Sequence, residues 1–188
     1  MRGKSHRCLG QYLVEKYMPN APKRYIRAFL IGCIEPDRNP ATYLKGSIRC
    51  QWLRGHNYEN ARRYMRRLSQ RLEQKEHLSL IDYYALGKLI HYTVDAFTYA
   101  HNQDFPEDLR EHCAYEKALQ EYFLDFLHGD PCPSGSGNVS IMETIQENHR
   151  SYMRRPGNII TDARYAFTVS CLVAAGILLH KNPAPFLL

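Results

Sequence analysis

The sequence has no CxxC pair, no convincing period-two run of the kind that forms strands, and no internal repeat of fixed period. Its six cysteines, Cys8, Cys33, Cys50, Cys113, Cys132 and Cys171, are scattered through 188 residues. That usage reads as reduced thiols and argues against a disulfide framework. The basic N-terminal stretch lacks the apolar core of a signal peptide, because Gln11, Glu15 and Lys16 interrupt it. The longest apolar run, Ala166 to Leu179, is short for a bilayer span and reads as a buried core helix. The expectation is therefore a cytoplasmic protein without a transmembrane segment. With 44% hydrophobic and 23% charged residues, the composition excludes a disordered or fibrous chain. The length fits a single domain over residues 1–188. A formal charge of +6 and a pI near 9.0 favour anionic partners such as phosphate esters, anionic lipid or nucleic acid.

What is there is helical periodicity, so the expected class is all-α. A first helix is expected over residues 7–18, ending before Pro19, and a second follows Pro22 with Tyr25, Ile26, Phe29, Leu30 and Cys33 as its apolar stripe. Residues 35–55 carry two prolines and two glycines and read as a long loop, a length that is usually functional. An arginine-rich amphipathic helix is expected from Asn57 to about Lys75. Ser79 then caps a helix running to about His101. The next begins near Pro106, Glu107 and Asp108 and stops at Gly129. A linker, GDPCPSGSGN, precedes two more helices over about 139–153 and 160–180.

The chemistry concentrates in two of these helices. His91 and Asp95 lie four apart, so their side chains share one helix face, and His112 and Glu116 repeat the spacing on the next helix. His101 lies between them, six residues beyond Asp95. A single His–carboxylate pair of this kind is usually a surface polar pair. Here, however, Leu86, Leu89, Ile90, Val94 and Phe97 surround His91 and Asp95. An imidazole and a carboxylate buried there need a partner that satisfies both. Two facing helices with such pairs can hold metal between them, and imidazole with carboxylate suits zinc. Asp37, His56 and His6 are ambiguous taken singly. His77, His128, His149 and His180 have no partner at ligand spacing and are assigned to the surface. Cys113 neighbours His112, but its helical phase points elsewhere.

Taken together, these residues resemble the zinc-dependent phospholipase C family and its relatives, the single-strand-specific fungal nucleases. The segment KLIHYTVDAFTYAHNQDF followed by EHCAYEKAL is similar to the family's HxxxD, His and HxxxE or HxxxD series. FLIGCIEPD and RGHNYENA resemble the stretches that carry its upstream Asp and His ligands. The resemblance implies a compact multi-helix bundle with its metals between helices. It implies one zinc on Asp37, His56, His91 and Asp95, and a second on His101, His112 and Glu116. A third would take Asp95, His6 and the amine and carbonyl of the terminal residue, here Met1 where secreted members have Trp. A retained Met1 sits five residues before His6, a spacing similar to the nuclease branch.

The activity so implied is zinc-dependent phosphodiester hydrolysis, with Asp37 either a ligand alone or a ligand and general base. The substrate is a phosphate ester, with phospholipid at a membrane surface and nucleic acid as the two candidates. A nuclease or nucleotidase of the same superfamily, or a non-catalytic zinc-stabilised binding protein, stand as alternatives. Tyr92, Phe97, Tyr99 and Tyr115 can line a pocket, although at helical spacing such residues are more often core. The segment AFTYAH lacks a proline that the family often has, and no acidic choline contact is found near the N-terminus. The stripe Arg62, Arg63, Arg66, Arg67 and Arg71 reads chiefly as a solvated face, with phosphate contact as the other reading.

Overall fold

A computed structural model describes residues 1–39, 56–102, 105, 109–131, 140–154 and 157–179. Most of the expected loop over 35–55, the expected linker, the helix start at Pro106 to Asp108, and Cys50, Cys132 and His180 lie outside those residues. The described part contains seven α-helices and no strand: α1 (Gly3–Tyr17), α2 (Lys23–Arg38), α3 (Tyr58–Glu73), α4 (Leu80–Ala96), α5 (Leu109–His128), α6 (Ile141–Tyr152) and α7 (Ile159–Leu178). A single 3-10 turn, Tyr99–His101, follows α4. The chain forms an all-α bundle.

At its centre lies α4, which packs on α1, α2, α3 and α7. Its sequence is apolar around nearly the whole circumference, and from Ala85 to Ala96 every residue is buried. Its start is fixed by a capping box in which Ser79 and Asp82 exchange backbone bonds, and Arg71 of α3 grips Asp82 at 2.9 and 2.7 Å. The tightest crossing is with α2. A Cβ placed on Gly87 would run into the Phe29 carbonyl oxygen, and one on Gly32 into that of Tyr84. Two glycines thus let the backbones touch, which carries the C-terminal end of α2 up against His91.

Three boundaries differ from expectation, the first being that α1 begins at Gly3 and not at residue 7, which places His6 inside the helix. Residues 35–38 are helical and not loop, since α2 continues through Pro36. The proline removes one bond to the Gly32 carbonyl, but Asn39 N–H still reaches the Glu35 carbonyl at 3.0 Å and closes the last turn. Conversely, α4 ends at Ala96 and does not reach His101. The Asn102 amide donates to the Ala96 and Thr98 carbonyls at 3.1 and 2.9 Å, which ends the helix and bends the chain into the 3-10 turn. The expected apolar core helix is α7. By length and composition it could cross a membrane, but half of its most apolar window is buried against the bundle.

Candidate metal centre

The buried face of α4 presents His91 and Asp95, both with no exposed surface. His91 Nδ1 donates to the Cys33 carbonyl of α2 at 2.9 Å, which leaves Nε2 as the nitrogen turned toward Asp95. Asp95 Oδ2 lies 3.1 Å from that Nε2 and 3.0 Å from His56 Nδ1. The two imidazole nitrogens are 3.2 Å apart. Asp37 Oδ1, from the last turn of α2, stands 3.6 Å from His91 and 3.8 Å from His56. A tetrahedral zinc with bonds of roughly 2.0–2.1 Å needs its donors about 3.3 Å apart. The spacings of these four groups fall around that value.

On its other side, Asp95 Oδ1 faces α1. The Met1 amine lies 2.8 Å away and His6 Nε2 3.3 Å away, while the same Nε2 is 3.0 Å from the Met1 carbonyl oxygen. The His6 ring stacks on His91 with centroids 4.0 Å apart. A third group joins the 3-10 turn to α5. His101 Nε2 is 3.1 Å from Glu116 Oε1, and His112 Nε2 is 3.8 Å from Oε2. The Met1 amine bridges this group to the others, at 2.8 Å from His101 Nε2 and 3.0 Å from Glu116 Oε1. All nine donors singled out from the sequence, Met1, His6, Asp37, His56, His91, Asp95, His101, His112 and Glu116, therefore converge. Their ligand atoms include three sets lying within 4.8 Å of one another.

The electrostatics of the cluster demand positive charge. Burial raises the pKa of Asp95, yet the Met1 ammonium and the imidazoles of His101, His91 and His6 hold it well below the ordinary carboxylate range. Burial likewise opposes ionisation of Glu116, which the Met1 ammonium and His101 overcome to pull it down. For the Met1 amine, desolvation is outweighed by Asp95 and Glu116 together, and its pKa rises to about 10. His6 is lowered by burial and then by His91, and His101 by burial and then by the Met1 ammonium. His91 moves the other way: Asp95 and Asp37 outweigh its desolvation. A divalent cation on these donors would supply the charge that Asp95 and Glu116 call for and would favour neutral imidazoles and a neutral amine as ligands. The donor set fits zinc.

His149, assigned to the surface from its spacing, is buried. Its ring stacks on Tyr58 at 3.6 Å, and its Nε2 donates to Asn102 Oδ1 at 2.9 Å. Asn102 thereby becomes a rigid post beside His101. Neither residue had a sequence signal for this contact, because the two lie 47 residues apart in the chain. His77 and His128 are exposed as expected, and so is Cys113. Tyr92 and Phe97 are core, whereas Tyr99 and Tyr115 are partly buried around Phe105. A cavity of about 370 Å³ adjoins His101 and is walled by Tyr58, Glu59, His149, Arg150 and Met153.

No curated protein and no solved structure matches the chain. A family model described as zinc dependent phospholipase C matches residues 5–165, the span that contains every side-chain donor of the cluster. The chain belongs to the zinc-dependent phospholipase C family.

Proposed function

We propose that this protein is a zinc-dependent phosphodiesterase acting on a phosphate ester such as a phospholipid headgroup linkage. The observation that carries the reading is Asp95, whose two oxygens face two separate sets of imidazole and amine donors at 2.8–3.3 Å. One zinc is assigned to Asp37, His56, His91 and Asp95, a second to His101, His112 and Glu116, and a third to Asp95, His6 and Met1. Bound zinc would polarise phosphoryl oxygens, yield hydroxide near neutral pH and neutralise a leaving oxygen.

The residues divide the remaining work. Fully enclosed, Asp95 is kept for charge and geometry. Asp37 keeps 23% of its side chain open, so it can orient a water molecule from the edge of the cluster and take its proton on the carboxylate. The cavity beside His101 offers the Tyr58 ring and the Arg150 guanidinium to the non-reacting part of the ester. The same reading takes the protein to work in the cytoplasm, where the exposed Cys113 thiol stays reduced.

The test is hydrolysis of bis(p-nitrophenyl) phosphate, expected to stop with chelator and return with zinc. A His91→Ala/Asp95→Ala variant should lose about a thousandfold or more, the several kcal/mol a metal contributes. Unchanged hydrolysis in that variant would place the activity elsewhere. Zinc bound without any phosphoesterase activity on lipid, nucleotide or single-stranded DNA would instead favour a binding protein.

A further inference from the structure

The structure holds a second enclosed carboxylate behind the cluster. Asp162, in the first turn of α7, has no exposed surface. It accepts three hydrogen bonds from three other segments. Tyr152 of α6 donates its hydroxyl to Oδ1 at 2.7 Å. Oδ2 takes both the Tyr99 backbone N–H and the Tyr115 hydroxyl, each at 2.8 Å. An aspartate at this depth is costly unless its oxygens are satisfied, and these donors satisfy it.

The two donors on Oδ2 are not arbitrary in position. Tyr99 opens the 3-10 turn that ends at His101, and Tyr115 directly precedes Glu116 on α5, three residues after His112. A single oxygen atom therefore joins the turn carrying one donor to the helix carrying the other two. Across that joint, His101 Nε2 and Glu116 Oε1 stand 3.1 Å apart. Tyr152 makes a useful contrast. It binds the same carboxylate from α6, a helix with no donor in the cluster.

We infer that Asp162 is a positioning residue, whose Oδ2 clamps the His101 turn to α5 and sets the spacing of the His101, His112 and Glu116 triad. The inference rests on the reading of that triad as a metal site. A plain structural role would make the carboxylate matter to stability alone. A clamp makes it matter to the metal, because partners one bond removed from the ligands commonly tune affinity by about 10–100-fold.

The experiment compares Tyr115→Phe with Tyr152→Phe, each of which removes one hydroxyl from Asp162, and adds Asp162→Asn where it folds. Zinc affinity is read by chelator competition, and the triad geometry by the visible spectrum of the cobalt-substituted protein. Tyr115→Phe should weaken one metal by about tenfold or more and shift the cobalt bands, with Tyr152→Phe close to wild type in both. The melting temperatures of the two metal-free variants should be similar. Equal stability losses with unchanged affinity and spectrum in both would overturn the clamp and leave Asp162 a structural carboxylate. A zinc stoichiometry untouched by His112→Ala would overturn the metal assignment of the triad, and the clamp with it.

Discussion

Met1 is placed where a backbone terminus is rarely found, with its amine between Asp95, His101 and Glu116 and its carbonyl on His6. Residues added ahead of Met1 would convert that amine to an amide, which neither carries charge nor ligates zinc. Such an extended protein is expected to bind one zinc fewer and to lose about 10–100-fold in activity, measured by metal analysis and turnover. Equal zinc content and activity would show that the amine has no part in the site. His149 carries a second residue-level expectation. Burial lowers its pKa to about 4, against the pull of a hydrogen bond to the Ala96 carbonyl, so it is neutral in the fold. A histidine depressed in this way favours the fold above its unfolded value near 6.5 and loses that contribution as pH falls toward 4. The loss is at most about 3 kcal/mol. Denaturant midpoints of metal-free wild type and His149→Gln, taken from pH 7 to pH 4, should diverge by that component, and parallel profiles would refute it. The contrast between these residues explains what the sequence let through. His91 with Asp95, and His112 with Glu116, are legible because helical geometry turns a spacing of four into a shared face. His149 is not, since its surroundings are Tyr58 of α3 and Asn102 after the 3-10 turn, both far along the chain.

Among the elements, the contact between α2 and α4 does most to shape the site. Gly32 and Gly87 bring two backbones together, Cys33 then meets His91 Nδ1, and one turn further Asp37 meets His91 and His56. Gly87→Ala inserts a methyl against backbone atoms that cannot rotate away. It should cost about 3 kcal/mol, within or above the usual range for overpacking. For a chain of this length that is a fall in Tm of roughly 6–12 °C. The metal held by Asp37 should weaken along with it, whereas the His101, His112 and Glu116 group, carried on other elements, should keep its affinity. Calorimetry with metal titration checks both halves, and a variant as stable as wild type would mean that the helices can part without cost. Seven helices were readable from periodicity, but this crossing was not. A glycine in a helical stretch gives no sign of whether it faces solvent or a neighbouring backbone. The end of α4 is hidden in the sequence for a related reason, because the Asn102 side chain that stops it acts from beyond the turn.

At the scale of the molecule, the chain is basic overall while its centre gathers carboxylates, imidazoles and an amine out of water. Without a cation, the buried Asp95 depends chiefly on the Met1 ammonium for its charge balance, while burial disfavours charge on the His6 and His101 imidazoles beside it. Zinc on these donors should therefore stabilise the whole bundle, because the donors come from α1, α2, α4, α5 and the 3-10 turn, with His56 just ahead of α3. Free metal at a hundredfold excess over its Kd adds about 2.7 kcal/mol per site when the unfolded chain binds none. At roughly 2–4 °C per kcal/mol for this size, one filled site raises Tm by about 5–11 °C. Chelator should reverse the rise in wild type. In the His91→Ala/Asp95→Ala variant the zinc response should shrink to that of the His101, His112 and Glu116 group alone. Two effects weaken the metal-free state of that variant together: the Met1 ammonium loses its nearest buried carboxylate, and space opens in the core. The decisive quantity is thus the difference between melts with and without zinc and not the absolute Tm. A difference equal to that of wild type would mean that His91 and Asp95 hold no metal.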